Sequence, residues 1–235
     1  MLVLALETAT EMASAALVED DREIAAWRAE AAGHLCRRLA PEVADLIARS
    51  ETAFGRLDLI AVGLGPGSFT SLRIGLATAK AFALAHDLPL IGVSSLAAAA
   101  WQERQRFQNL LCPAFDARRG DLYAAVYRAG PDFLEQVEPE FVAEPERVVA
   151  QLARRGEPAT IFGRLDSDQA AKVEEAGAGA CALHAEPIFP HALAVAQLGR
   201  RRCQSDGPDD LASLRPLYLR KSYAEEHFDI DLGLR

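Results

Sequence analysis

The chain has 235 residues, 50% of them hydrophobic, and a formal net charge of -9 at pH 7. This length and composition are typical of one large or two smaller globular domains and argue against a disordered chain. The negative charge argues against a protein that binds a phosphate backbone on its own, because such proteins usually present a basic face.

The cysteines and the N-terminus indicate the compartment. The four cysteines lie far apart and form no C-x-x-C pair, although zinc and redox sites need close spacing. The N-terminus is apolar but lacks the basic residues of a signal peptide, and no stretch approaches the roughly 18 apolar residues of a membrane span. We therefore expect a cytoplasmic protein with no membrane association and with incidental thiols in a reducing compartment.

The first half of the chain predicts three strands followed by alternating helices and strands. The opening strand is a short apolar run, and an acidic cluster at residues 19–22 suits a hairpin tip between the next two strands. The first helix places its apolar residues on one face. The predicted strands are residues 2–6, 12–18, 23–29, 59–64 and 90–93, and the predicted helices are residues 34–50, 71–86 and 95–106.

The second half repeats this order more loosely. Strands are expected at residues 110–115, 122–128, 133–142 and 160–163, and helices at residues 144–152 and 190–203. The pattern predicts an α/β fold of duplicated ribonuclease-H-like lobes of the actin, sugar-kinase and Hsp70 type, with βββαβαβα repeated twice. We expect an N-terminal lobe at residues 1–105 and a second, degenerate lobe with a C-terminal arm at residues 106–235.

The segment 65–71, G-P-G-S-F-T-S, lies between a predicted buried strand and a long helix. Glycines allow another backbone or a ligand to approach closely, and the free N–H groups at a helix start are able to bind an anion. A P-loop needs a lysine followed by serine or threonine, and a nucleophile elbow needs G-x-S-x-G, so the segment is neither. The alternative is a tight strand-to-helix connection capped by Thr70 or Ser71.

The helix predicted at residues 71–86 carries charge only at Arg73 and Lys80. A helix that is apolar nearly all round is either buried or packed between its own sheet and another protein. Gly75, Ala79 and Ala83 recur every four residues and form a smooth row that admits a close helix neighbour.

Two turns carry charged side chains whose role the sequence leaves open. Glu7 either orients a metal ion or water or is a solvated carboxylate. The segment 116–121, D-A-R-R-G-D, is expected as the first hairpin turn of the second lobe, where Arg118 and Arg119 meet either a phosphate group or solvent. The five histidines include no pair at three- or four-residue spacing, which disfavours a helical metal site.

Five segments of the chain resemble one family. They are residues 4–10 (L-A-L-E-T-A-T), 65–80 (G-P-G-S-F-T-S-L-R-I-G-L-A-T-A-K), 91–96 (I-G-V-S-S-L), 116–123 (D-A-R-R-G-D-L-Y) and 216–220 (P-L-Y-L-R). Together they are similar to the TsaB (YeaZ) family, whose members are partners of the TsaD enzyme in making threonylcarbamoyladenosine on tRNA.

The resemblance implies a two-lobed fold with an atrophied nucleotide cleft and a non-catalytic scaffold or activating subunit. Such a subunit pairs with a TsaD-type transferase, which acts on the tRNA adenosine next to the anticodon and is served by a TsaE-type ATPase. The resemblance further implies a homodimer in the free state, contact with tRNA through the complex, and no tightly bound cofactor, with ATP or ADP at the partner interface left open. The alternative is a stand-alone nucleotide-dependent carbamoyl transferase or small-molecule kinase of the same fold, or a nucleotide-binding regulatory module.

One segment separates the chain from its catalytic relatives, and one residue departs from the pattern of the resembled family. TsaD-like enzymes carry a His-x-x-x-His pair after the strand that matches residues 90–93, whereas residues 94–99 here are S-S-L-A-A-A, which cannot hold a transition metal. Glu7 stands where family members more often have aspartate. The resemblance implies pairing through helices of the N-terminal lobe. The residues expected at that interface are Leu72, Arg73, Gly75, Leu76, Ala79, Leu35 and Leu39.

Overall fold

The computed structural model of the protein describes residues 1–31, 33–177 and 179–220. The chain folds into two compact units, one formed by residues 1–98 with 190–216 and the other by residues 99–189 with the described residues from Leu217 onward. The strands are β1 (Leu2–Glu7), β2 (Met12–Glu19), β3 (Arg22–Glu30), β4 (Leu59–Gly63), β5 (Leu90–Val93), β6 (Leu110–Asp116), β7 (Leu122–Ala129), β8 (Leu134–Ala143), β9 (Ala159–Arg164) and β10 (Cys181–Leu183). The α-helices are α1 (Leu35–Arg49), α2 (Phe69–His86), α3 (Ser95–Glu103), α4 (Pro145–Ala153), α5 (Ser167–Gly177) and α6 (Ala192–Asp206), and a 3-10 turn (Phe54–Arg56) precedes β4.

The first unit is a five-stranded sheet in the order β3-β2-β1-β4-β5 with helices packed on it. The central strand β1 pairs antiparallel with β2 and parallel with β4. Both β1 and β4 are nearly continuous apolar runs, as expected for strands covered on both faces. Helix α1 presents a stripe from Leu35 to Ile47 to this core.

The second unit has the same plan, with a five-stranded sheet in the order β10-β9-β6-β7-β8. Its first strand, β6, again pairs antiparallel with the next strand and parallel with the strand that follows the first helix. The element order is βββαβαβα in each half of the chain. The predicted duplicated ribonuclease-H-like fold is therefore confirmed.

The division of the chain differs from the predicted split at residue 105. Helix α6 belongs to the first unit, because it packs against β1, β2, β4 and β5. Gly199 allows that approach, since a Cβ there would lie 2.8 Å from the Ala61 side chain. The sequence pattern does not reveal helix α5 and strand β10, because α5 buries only three residues and β10 is only three residues long.

Smaller features complete the description. All four cysteines are free thiols. Helix α3 ends at Glu103 rather than at Arg106. The C-terminal arm was expected after residue 205, where α6 extends to Asp206; residues 207–220 are described and contain no helix or strand, and the rest of the arm lies outside the described residues. Within the described ranges, no helix has the length and apolar character needed to cross a membrane.

Candidate functional site

The carboxylate of Glu7 lies at the carboxyl end of β1 and is fully buried. Its Oε1 accepts a hydrogen bond from the Ala9 N–H at 2.7 Å, and its Oε2 accepts one from the Ser95 hydroxyl at 2.7 Å. The Ser95 Oγ in turn accepts the Gly65 N–H at 3.1 Å. A Cβ at Gly63 would lie 2.2 Å from Oε2, so a glycine at the end of β4 makes room for this carboxylate. The solvated-carboxylate alternative is therefore wrong.

Burial changes the protonation of this group. Loss of hydration in the interior raises the pKa of Glu7 to about 7, and the hydrogen bonds from Ala9 and Ser95 limit that rise. Both carboxylate oxygens are occupied by groups of the same chain. The side chain therefore ties together the ends of β1 and β4 and the start of α3.

The glycine-rich loop after β4 packs directly against the turn after β1. The Ser68 N–H donates to the Ala9 carbonyl at 2.7 Å, and a Cβ at Gly67 would lie 2.1 Å from that oxygen. Gly65 has a φ of +92°, which glycine adopts without strain, and the Gly65–Pro66 peptide is cis. The Ser68 N–H, which an anion bound at the start of the helix would need, is thus hydrogen-bonded within the fold. The arrangement favours the tight-connection alternative.

The cap of α2 differs from the prediction. The helix begins at Phe69, and the Ser68 side chain accepts from the Ser71 N–H at 3.5 Å. Ser68 and Ser71 also share a hydroxyl contact at 3.0 Å. The capping residue is therefore Ser68 rather than Thr70 or Ser71.

Gly75 has a role inside the unit. The Thr8 hydroxyl donates to the Ser71 carbonyl at 2.9 Å, and a Cβ at Gly75 would lie 2.2 Å from the Thr8 Oγ1. The small residue at this position therefore lets α2 approach the turn after β1. At Gly75, the predicted row of small residues therefore packs against the turn after β1 of the same unit.

Most of the expected interface residues are not on the surface. They belong to the interior of the first unit, because the apolar side of α2 and the stripe of α1 cover the sheet. Burial leaves little of a residue for direct contact with a partner. Six of the expected interface residues are buried in this way, which are Leu72, Gly75, Leu76, Ala79, Leu35 and Leu39, and the interface stays a prediction that their burial does not favour.

The exposed side of α2 consists of other residues. Arg73 is exposed, and its guanidinium lies 3.8 Å from the centre of the Phe69 ring. Ala77, Ala81 and Leu84 are exposed and share one face, since they are spaced by four and three residues. Leu84 is 75% exposed. We call Ala77, Ala81 and Leu84 the outer face of α2.

A second cluster surrounds the turn between β6 and β7. Arg118, Arg119 and Gly120 have φ values of +65°, +58° and +85° in succession, and both arginines are exposed. Such angles suit glycine but strain residues that have a Cβ. The turn is closed by hydrogen bonds of 2.9 Å from the Ala117 N–H to the Asp121 carbonyl and of 2.7 Å from the Arg118 N–H to the Asp116 carboxylate.

Gln169, near the start of α5, holds this turn from inside the unit. It is fully buried, and its Nε2 donates to the Asp116 carboxylate at 3.0 Å and to the Asp121 carbonyl at 2.9 Å. Its Oε1 accepts the Asp166 N–H at 2.9 Å, and its own N–H donates to the Asp166 carboxylate at 2.8 Å. Nothing in the sequence pointed to Gln169.

Arg220, in the segment after α6, holds the same turn from another side. Its guanidinium donates to the Ala117 carbonyl at 2.9 Å and to the Arg118 carbonyl at 3.2 Å, and it pairs with the Asp121 carboxylate. The segments 116–123 and 216–220 were both part of the resemblance. Their contact had no signal in the sequence, because about 100 residues separate them.

Metal binding at these clusters finds little support in their chemistry. Both oxygens of Glu7 accept hydrogen bonds, and the residues that follow β5 are serine and alanine. In the part of the chain that the structure describes, no three or more histidine, cysteine, aspartate or glutamate side chains are grouped so that they could hold an ion.

Comparisons with known proteins identify relatives over nearly the whole chain. Residues 29–172 match the family model described as TsaD, tRNA N6-adenosine threonylcarbamoyltransferase. The chain is 31% identical over 226 residues to the tRNA threonylcarbamoyladenosine biosynthesis protein TsaB of Bacillus subtilis, covering 96% of each. It is 38% identical over 152 residues to the Escherichia coli protein of the same name, covering 63% of this chain and 64% of the relative.

A solved structure agrees with these matches. YeaZ from Pseudomonas aeruginosa superposes with a TM-score of 0.80 at 28% identity, covering 93% of this chain and 99% of that protein. The match to the B. subtilis protein spans both units, and the TsaD model spans more than half of the chain. The chain therefore belongs to the TsaB (YeaZ) family.

Proposed function

We propose that this protein is a non-catalytic scaffold or activating subunit in the biosynthesis of threonylcarbamoyladenosine on tRNA. It pairs with a TsaD-type transferase, which transfers the threonylcarbamoyl group to the adenosine next to the anticodon. The names of its TsaB relatives and the match to the TsaD model support the pathway and the partner.

The state of Glu7 is the observation that carries the non-catalytic part of the proposal. A carboxylate that binds a metal ion or activates water needs a free oxygen facing the substrate. The two oxygens of Glu7 accept hydrogen bonds from Ala9 and Ser95, and the side chain has no exposed surface. In this protein the carboxylate has a structural role, because it stabilises the junction of β1, β4 and α3.

The glycine-rich loop after β4 is also used internally. The loop at residues 65–68 donates the Ser68 amide to the Ala9 carbonyl and packs Gly67 against it. This packing supports a unit that holds its own shape without a nucleotide. The proposal accordingly includes no tightly bound cofactor, and it leaves ATP or ADP to the partner interface.

The outer face of α2 is the surface that we assign to the transferase. Ala77 and Ala81 allow a close approach of another helix, and the exposed Leu84 supplies an apolar contact. The proposal also includes a homodimer in the free state, a TsaE-type ATPase as a further partner, contact with tRNA through the complex and a cytoplasmic location.

Binding to the transferase tests this assignment. We expect Leu84→Glu to weaken binding by at least about tenfold, because it places a charge in an apolar contact. Glu174→Leu on α5 is the control, since it alters another exposed helix position. Equal binding of wild type and Leu84→Glu would remove this face from the interface. Replacing Gly75 or Ala79 is not a clean test, because both are buried.

Omission of the chain tests the function itself. We expect a reconstituted threonylcarbamoyl-transfer reaction to depend on this protein and the isolated chain to turn over neither ATP nor a carbamoyl adduct. Turnover by the purified chain alone would favour the stand-alone enzyme instead.

A further inference from the structure

The turn between β6 and β7 has a backbone conformation and contacts that a solvent-exposed hairpin turn does not need. Two arginines and a glycine in succession have left-handed backbone angles, although only the glycine adopts them freely. Strained residues of this kind persist where the surroundings determine them, and they cluster at functional positions.

The surroundings do determine this turn. The buried Gln169 amide donates to the first and last residues of the segment 116–121, and the Arg220 guanidinium donates to the carbonyls of Ala117 and Arg118 between them. Both clamping side chains come from elements remote in sequence. An ordinary hairpin turn is stabilised by its own strands and needs neither clamp.

Gln169 and Arg220 also determine which charged side chains of the turn face the solvent. The Asp116 carboxylate accepts the Gln169 amide and the Arg118 N–H, and the Asp121 carboxylate pairs with Arg220. Arg118 is 87% exposed, and its contact with Asp116 at 3.4 Å is a weak surface pair. Arg119 is exposed beside it. The acidic residues are thus engaged on the protein side while guanidinium groups stand at the tip.

We propose that Arg118 and Arg119 bind phosphate groups of the tRNA backbone, and that Gln169 and Arg220 are positioning residues that hold the turn in the shape this contact needs. The inference rests on the proposed function, because the tRNA reaches the turn within the complex. Guanidinium groups match phosphate geometry and remain charged at every physiological pH.

The net negative charge of the chain limits the phosphate contact to a local effect. A protein with a net charge of -9 does not attract RNA at long range, so the isolated chain should bind tRNA poorly. Two local phosphate contacts contribute when the partner transferase has already positioned the tRNA. The effect should therefore be found in the KM for tRNA of the assembled complex and not in kcat.

The test compares variants in the reconstituted complex with the tRNA substrate of the transferase. In Arg118→Gly/Arg119→Gly, glycine suits the left-handed backbone, so the variant removes both charges without adding strain. Its control, Arg147→Ala/Arg154→Ala, removes two exposed charges from α4 and the residue that follows it. We expect the KM for tRNA to rise about five- to tenfold in the glycine variant, with kcat, partner binding and the control unchanged.

The salt dependence of the KM for tRNA and a variant of Arg220 provide two further tests of the proposal. The slope of log KM against log salt should fall by about one to two in the glycine variant, because two phosphate contacts are lost. Arg220→Met keeps both arginines but removes a clamp, and it should also raise the KM for tRNA. An unchanged KM in the glycine variant would overturn the proposal, and so would loss of partner binding, which would make the turn a protein contact. If the wild-type chain restores no activity at all, the proposed function fails first.

Discussion

The buried carboxylate of Glu7 predicts an unusual dependence of stability on pH. Its pKa is about 7 in the folded protein, against 4.5 for an unperturbed glutamate. Between these values the folded state holds a proton that the unfolded state has released, so the free energy of unfolding falls as pH rises. The contribution is fully present below about pH 4.5 and is lost as pH rises through about 7. With about 1.4 kcal/mol for each pH unit, the whole loss is about 3 kcal/mol.

The assay is chemical denaturation at about pH 5 and about pH 8 for the wild type and Glu7→Gln. Glutamine is neutral throughout and has nearly the same shape, so the variant keeps the pH dependence of every other group. We expect the wild type to lose about 2 to 3 kcal/mol more than the variant between the two pH values. An equal loss in both proteins would refute the burial and protonation of this group.

Two further predictions concern close packing and a sheet edge. Gly67→Ala should lower the free energy of unfolding by about 2 to 4 kcal/mol, because its Cβ would meet a main-chain carbonyl, whereas Gly55→Ala, with nothing within 4 Å, should lower it by less than about 1 kcal/mol. Equal melting temperatures for these variants would contradict the packing of the loop. Asp209→Ala should lower the free energy of unfolding by about 1 to 3 kcal/mol, because the Asp209 carboxylate accepts the Gly92 N–H of edge strand β5 at 2.7 Å. The control is Asp206→Ala, which changes an exposed aspartate. Urea midpoints of the two aspartate variants measure this difference, and an equal or larger loss in Asp206→Ala would contradict the role of the Asp209 hydrogen bond.

The fold was largely predictable because its strands and helices carry clear periodicities. Apolar runs indicated β1, β4 and β5, and the stripe of α1 appeared with its correct spacing. Helix α5 has few buried positions, so its periodicity is weak. The place of α6 was missed because the choice of sheet depends on a close approach at Gly199, which no local pattern shows.

The candidate sites were only partly predictable, because their partners are remote in the chain. Glu7 and its donor Ser95 are 88 residues apart, so the sequence did not distinguish a buried carboxylate from a solvated one. An apolar helix such as α2 is able to pack against its own sheet or against a partner, and its composition is the same in both cases. Gly75 therefore suggested a helix interface, whereas it makes room for Thr8.

The proposed scaffold or activating role is tested by the dependence of the transferase on this chain. At a fixed concentration of a TsaD-type transferase, with its other components in excess, threonylcarbamoyladenosine formation is measured while this protein is added in increasing amounts. We expect no product from this chain without the transferase and a rate that saturates as the transferase becomes fully bound. Product formed without the transferase, or a rate that does not respond to this chain, would contradict it.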